Sequence, residues 1–345
     1  MNIYSIIKIA LLNDKDIEQW KDLWEKSNQS TFFNSYDWYH VCKEILKEDI
    51  VVFFIWKGKK LTAIAPLMKK NVYGIQCLTL FGEPYTDKIT ILSEQCEPTI
   101  LKEILEELSK NNSIVLKELE ETCINEWIEG HLYEIASENP YVNLKEDLKT
   151  QVKKKEWNLL VNKLKNQPFS FELYKREEAQ KWISLLWEIE ERSNKVERHR
   201  NLFRSLKAKE LFLRIANSHM TVLAVLKYRG KPIAHMLGYN IKGIVFMAHH
   251  MAFDLEYKKM LPGKVLIVAL LTHLQEKNFK IFDFSRGQTI LKRHFSIYEK
   301  KNYNVYLPSN LVDKIWWNLV LEIKKKIKKY EKLIKLIYVK IKNMA

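Results

Sequence analysis

One pattern occurs twice in this chain, and it limits the possible folds more than any other feature. IEQWKDLWEKS (17–27) is echoed by AQKWISLLWEIEERS (179–193), and VFFIWKGKKLTAIAPL (52–67) by LAVLKYRGKPIAHMLG (223–238). The matching tryptophans, Trp20 and Trp182, lie 162 residues apart, and the turn glycines Gly58 and Gly230 lie 172 apart. Matched landmarks in the same order imply duplication of one domain, with a small insertion in the second copy near Arg198, Arg200 and Arg204. Each copy reads as an amphipathic helix followed by two strands around a tight turn. A chain of 345 residues divides naturally into two such units of about 150 residues each. Only nine glycines and eight prolines argue against disorder and against an all-β fold of many turns. The expected class is α/β (α+β), two like domains that each have a mixed sheet flanked by helices.

In the first copy we expect an initial strand within the apolar N-terminus, which lacks the features of a cleaved leader. A helix follows over 16–27, then a second helix capped by Ser35. Strands are expected over 75–81, 89–92 and 114–116, with a helix over 99–110. In the second copy they are expected over 221–227, 232–240 and 244–253. This divides the chain into an N-terminal domain (1–143), a connecting helix (144–167), a C-terminal domain (168–307) and a basic amphipathic helix (308–345). Cys42, Cys77, Cys96 and Cys123 have no metal-ligand spacing, so no metal site is expected.

The segment 263–295, GKVLIVALLTHLQEKNFKIFDFSRGQTILKRHF, carries the chemistry. Apolar residues at helical spacing precede a short run, Phe279 to Phe284, of β character. Asp283, Arg286 and Lys292 fall where that strand ends, the usual place for a ligand in an α/β sheet. Asp283 is the candidate base or amine-orienting group, facing Arg286, and Arg286 and Lys292 are candidate clamps for acidic substrate groups. The plainer reading is an Asp–Arg pair bracing a turn. Pro262 pre-sets the first turn of the helix, and the amides of Gly263, Lys264 and Val265 then offer an anion site, to which the Lys264 side chain adds charge. His249 is a candidate acid or base, although a lone histidine on an apolar strand more often sits satisfied in the core.

The order of elements in the second copy is that of the GNAT acetyltransferases. FFNSYDW (32–38), FDLEYKKMLPGKVL (253–266) and DFSRG followed by ILKRHF (290–295) further resemble the GNAT-fold acyltransferases associated with cellulose and other envelope polysaccharides (CelD-like). These are relatives of the peptidoglycan aminoacyl transferases (FemAB-like), which carry two GNAT domains in tandem. The resemblance spans roughly residues 30–295. The chain departs from it at Leu291, where the family has an aromatic, and in reducing the glycine-rich phosphate loop to Gly263. The resemblance implies an acyl-CoA donor, acetyl-CoA foremost, and no metal. It places Met247, Ala248 and His249 at the edge of the donor slot, and Tyr85 and Asp87 of GEPYTDK as acceptor contacts facing the second domain.

The formal charge of +15 is unevenly spread: residues 324–342 hold nine lysines against one glutamate. Trp316, Leu319, Val320, Ile323, Ile327, Tyr330, Ile334, Ile337 and Ile341 form an apolar stripe along that helix, with Ser309 as its expected N-cap. An apolar face backed by lysines suits the surface of an anionic bilayer. The expected function is acyl transfer from acyl-CoA to an amino or hydroxyl group of a sugar, a small-molecule or lipid-linked glycan precursor, or a peptide. The expected setting is cell-envelope or polysaccharide biosynthesis, and the location the cytoplasm, peripheral to the plasma membrane, with no DNA partner. Two alternatives remain: an aminoacyl transferase fed by charged tRNA, and a non-enzymatic membrane-surface scaffold.

Overall fold

The computed structural model describes residues 4–9, 11–87, 90–94, 98–124, 130–152, 154–193, 195 and 202–342. Cys96, Arg198 and Arg200 lie outside this set, as do the side chains of Ile334, Ile337 and Ile341. The strands are β1 (Tyr4–Ile9), β2 (Ile50–Lys57), β3 (Lys60–Val72), β4 (Ile75–Thr79), β5 (Leu92–Ser93), β6 (Ser113–Glu120), β7 (Leu132–Asn143), β8 (Phe169–Lys175), β9 (Thr221–Tyr228), β10 (Lys231–Ile241), β11 (Val245–Phe253), β12 (Ile281–Asp283) and β13 (Tyr298–Leu307). They join in one sheet of order β1-β2-β3-β4-β6-β13-β7-β12-β11-β10-β9-β8, with the short β5 beside β3. This order is a palindrome: β1, β2, β3, β4 and β6 of the first half correspond to β8, β9, β10, β11 and β12 of the second. Each half has one parallel neighbour pair at the same place, β4 with β6 and β11 with β12. The other pairings along the sheet are antiparallel.

The halves also exchange their last strands. β7 leaves the first half to pair with β12, β13 leaves the second to pair with β6, and the two pair with each other. Neither strand was expected from the sequence, and together they turn two sheets into one. The strand expected over 89–92 is only Leu92–Ser93, and residues 88 and 89 lie outside the described set. The connecting segment is broken into Leu148–Gln151 and Lys154–Asn166. The second copy's first helix is broken into Glu177–Trp182 and Leu185–Glu191.

Local chemistry sets the elements that frame the cleft. Asn13 and Asp16 form a reciprocal capping box that opens the Asp14–Lys26 helix. Ser35 caps the Tyr36–Val41 helix by accepting from the Trp38 amide. FFNSYDW then packs the first half on the second, because Phe32 stacks on Tyr239 at 3.8 Å between centroids and Phe33 meets the His249 ring edge-on. In the second half the Pro262–Glu276 helix is apolar nearly all round. It is covered by the sheet on one side and by Trp157 and Leu160 of the Lys154–Asn166 helix on the other.

The last helix, Leu311–Lys342, divides its apolar residues between two surfaces. Trp317 and Leu321 are buried in a socket formed by Val72, Cys77, Val115 and Tyr306. The Trp316 indole, with its ring exposed, donates to the Tyr73 carbonyl at 2.6 Å. The start of the helix is capped by Asn310, whose side chain accepts from the Asp313 amide, rather than by Ser309. No helix among the described residues is long and apolar enough to cross a membrane.

Candidate active site

β11 and β12 run parallel for three residue pairs, ending at Met247 opposite Asp283. Beyond that pair β12 ends, while β11 continues to Phe253. The gap so opened is the heart of the site. Its closed end is fastened by the Ser285 hydroxyl, which donates to the Ala248 carbonyl. The DFSRG turn holds this shape through two residues with left-handed backbone, Ser285 at φ 57° and Gly287 at φ 86°. The Asp283 carboxylate supports the turn by accepting from the Ser285 amide at 2.7 Å and from the Asn139 side chain at 3.4 Å.

The expected trio is therefore split. Arg286 turns across the cleft onto Asp87 of the first half, Nε to Oδ1 at 2.9 Å, rather than back onto Asp283. Strand alternation gives the reason: Phe282 and Phe284 point into the second half's core, so Ile281 and Asp283 point to the opposite face. Asp283 lines one cavity with Met247, while Arg286, Lys292, His249, Ala248 and Asp87 line another, of 340 Å³. Lys292 donates to the Ser285 and Arg286 carbonyls at 3.0 and 2.8 Å and so grips the turn from the helix Ile290–Phe295. Burial pulls the pKa of its ammonium down to about 8, opposed by Asp87 and Asp283 and aided by Arg286. Its ammonium is thus committed to the turn, where the sequence had it as a clamp for acidic substrate groups.

The two contacts expected from GEPYTDK do reach the second half. The Tyr85 carbonyl accepts from His249 Nε2 at 2.9 Å, which leaves Nδ1 to accept from the Tyr239 hydroxyl at 2.8 Å. Both imidazole nitrogens are occupied and burial holds the ring below its ordinary range, so His249 braces the interface of the halves instead of serving as a base. The loop itself is fixed by Gly82, at φ 82°, where a Cβ would strike Thr86 and Trp38. The Trp38 indole donates to the Thr86 hydroxyl at 3.1 Å.

At the helix start, Leu261 adopts a left-handed conformation and Pro262 follows, with no side-chain cap. The Lys264 and Val265 amides both point to the Leu261 carbonyl at 3.0 Å, so two of the three expected donors are used within the helix start, and Gly263 itself is buried. A Cβ on Gly263 would lie 3.3 Å from the Phe253 ring, a tight contact that the ring must yield to by a few tenths of an ångström. Lys264 is bound to Glu156, which also takes His294 at 3.0 Å. Its charge is used within the protein. Among the described residues, the cations lining the adjoining 570 Å³ groove, along Met251 to Phe253 and Gln288 to Leu291, are Arg293 and Lys195, the latter itself paired with the buried Glu190.

A cluster absent from the sequence reading borders both spaces. Glu190, wholly buried, accepts from the Leu202 amide at 2.5 Å and meets His250 Nε2 at 2.5 Å and the Lys195 ammonium at 3.3 Å. His250 Nδ1 lies 3.1 Å from His235 Nε2, and the buried Nδ1 of His235 has no partner. Burial lowers the pKa of all three of these basic groups. The available signal was Glu190 and Lys195 flanking a helix end, with two histidines interrupting otherwise apolar strands. Among the described residues no group of three or more His, Cys, Asp or Glu is placed to hold a metal ion.

Residues 154–293, which include this cleft, match the model of a family described as an acetyltransferase (GNAT) domain. No curated protein is matched by the sequence. Among solved structures, FemX is similar with a TM-score of 0.64 over 88% of this chain and 98% of its own, at 9% identity. L-PGS from Bacillus licheniformis is similar with a TM-score of 0.57, 87% and 93% coverage and 14% identity. A conserved protein of unknown function from Bacteroides thetaiotaomicron gives 0.53, 88% and 100%, at 12% identity. At such identities the likeness is one of fold, and it extends over nearly the whole chain: this is the tandem GNAT architecture.

Proposed function

We propose that the protein is an acyltransferase that moves an acyl group, acetyl foremost, from a coenzyme A thioester to an amino or hydroxyl group of a sugar, glycan precursor or peptide. The observation that carries this reading is the parting of β11 from β12 after Met247, with an uncapped helix start at Gly263 behind it and Lys292 at its mouth. The Gly263 amide, with Arg293 along the groove, supports binding of the donor's phosphates. The backbone of β11 beyond Ala248 supports the acyl arm. For an amine acceptor, the nitrogen lone pair forms the new C–N bond while the C–S pair leaves on sulfur. The proton shed by nitrogen ends on the thiolate, and Lys292 is the group placed to carry it. Release of free thiol from acetyl-CoA, alone and with candidate acceptors, tests the reading. Turnover that survives in Lys292→Met undiminished would overturn the role of this cleft.

We further propose that the last helix holds the enzyme against an anionic membrane surface, which suits an acceptor carried on lipid. Ile315, Leu319, Ile323, Ile327 and Tyr330 are exposed on the side away from the Trp317 socket, and the lysine run of 324–342 supplies the complementary charge.

A further inference from the structure

The 570 Å³ groove and the 340 Å³ chamber are neighbours: Met251, Thr289 and Leu291 line both. A thioester whose phosphates lie toward Arg293 in the groove therefore brings its acyl end into the chamber. The chamber sits at the fork, because Ala248 in its wall follows Met247, the last residue of β11 to pair with β12. Its volume reaches the range of about 300–1,000 Å³ in which small-molecule sites fall, so it is built for more than a two-carbon group.

The polar side chains around the chamber are already engaged. Arg286 is held by Asp87, His249 by the Tyr85 carbonyl and the Tyr239 hydroxyl, and His250 by Glu190. Lys292 grips the turn carbonyls, and the Thr289 hydroxyl accepts from the Lys292 amide. What the chamber still offers a ligand is apolar surface.

That surface comes from the second half's core. Met236 of β10, Ala248 of β11, Ile267 of the Pro262–Glu276 helix and Phe284 line the chamber and belong to the apolar cluster beneath that helix. None of the four side chains can pair with a charge, so an ammonium or carboxylate pushed among them would lose its hydration without return. Methylene groups placed there would leave water for a wall of matching character. Met236 and Met251 are unbranched and flexible, which lets the wall fit more than one chain shape.

We propose that the chamber seats an uncharged aliphatic acyl chain longer than acetyl, in the butyryl to hexanoyl range, against Met236, Ala248, Ile267 and Phe284. The inference rests on the acyl-transfer reading and carries its donor beyond acetyl. Calorimetric titration of the full chain with coenzyme A and its acetyl, butyryl, hexanoyl and succinyl thioesters tests it, on wild type and Ile267→Phe. Affinity should rise about fourfold for each added methylene, so butyryl-CoA should bind about tenfold or more tighter than acetyl-CoA. Succinyl-CoA has four carbons like butyryl-CoA but ends in a carboxylate, and should bind about tenfold or more weaker than it. Ile267→Phe adds bulk to the wall and should cut the hexanoyl-to-acetyl affinity ratio by about tenfold, a ratio that a partly unfolded sample does not alter. Equal affinity of wild type for acetyl-, butyryl- and hexanoyl-CoA, or succinyl-CoA binding as tightly as butyryl-CoA, would overturn the inference and leave the donor reading standing. An unchanged ratio in Ile267→Phe would overturn it too, and should that variant not fold, the wild-type series decides. If neither coenzyme A nor any of its esters binds, the donor reading and this inference fall together.

Discussion

Lys292, buried at the cleft, differs in its chemistry from a free lysine. With its pKa at about 8, its amine is half neutral near that pH. A rate that needs the neutral form rises with pH through about 8 and then levels, and Lys292→Met removes that limb together with most of the turnover. Lys292→Arg, which keeps its proton, should do the same, and a flat profile between about pH 6 and 9 would contradict the role. The folded pKa lies below the ordinary 10.5, so burying the charged form costs stability below about 8, and the cost is relieved as pH rises from there toward 10.5. Arg286 calls for a different test, since it pairs with Asp87 across the cleft while a third of its side chain remains exposed. A double-mutant cycle of Arg286→Ala and Asp87→Asn should give a coupling of about 0.5–1 kcal/mol, modest because the pair is partly solvated. Asp283→Asn keeps an oxygen for the Ser285 amide, so it should lose activity while its melting temperature stays within about 3 °C of wild type. A large drop in melting temperature would mark Asp283 as a brace alone.

At the scale of elements, the sequence disclosed those whose side chains carry a clear period. The helix Asp14–Lys26, the hairpin β2–β3 and its counterpart β9–β10 follow from apolar spacing and turn glycines. β7 and β13 did not, because LYEIASENPYVN and YEKKNYNVYL alternate polar and apolar residues only in part. Their place is set by backbone pairing on both edges and by an acidic cavity on one face, neither of which writes an apolar run. DFSRG was recognisable as a polar turn at a strand end, but which way each of its side chains points depends on strand alternation at β12, only three residues long. The last helix was read as one apolar stripe, whereas Trp317 belongs to the body. Trp317→Ala should therefore destabilise the protein by about 3–5 kcal/mol, measured by urea denaturation. Replacing Leu319, Ile323 and Ile327 together by serine should leave stability nearly unchanged and abolish sedimentation with vesicles containing anionic lipid. If that variant still sediments as wild type does, the membrane role of this face is wrong.

For the whole molecule, strand exchange makes the two halves one body, with the cleft in the second half and its far side, Asp87 and Tyr85, supplied by the first. The duplicated sequence pattern predicted two like units; it had no means of predicting that each completes the other's sheet. The central claim is that the groove lined by Met251, Phe253 and Arg293, with Gly263 behind the Phe253 ring, holds a coenzyme A thioester. Titration calorimetry with acetyl-CoA tests it most directly, on wild type, Gly263→Asp and the uncharged size match Gly263→Asn. The account predicts binding by wild type, a loss of about tenfold or more in Gly263→Asn from crowding against Phe253, and a further loss in Gly263→Asp from repulsion of the phosphates. No binding of any short-chain acyl-CoA by wild type, or equal binding by all three proteins, would contradict it.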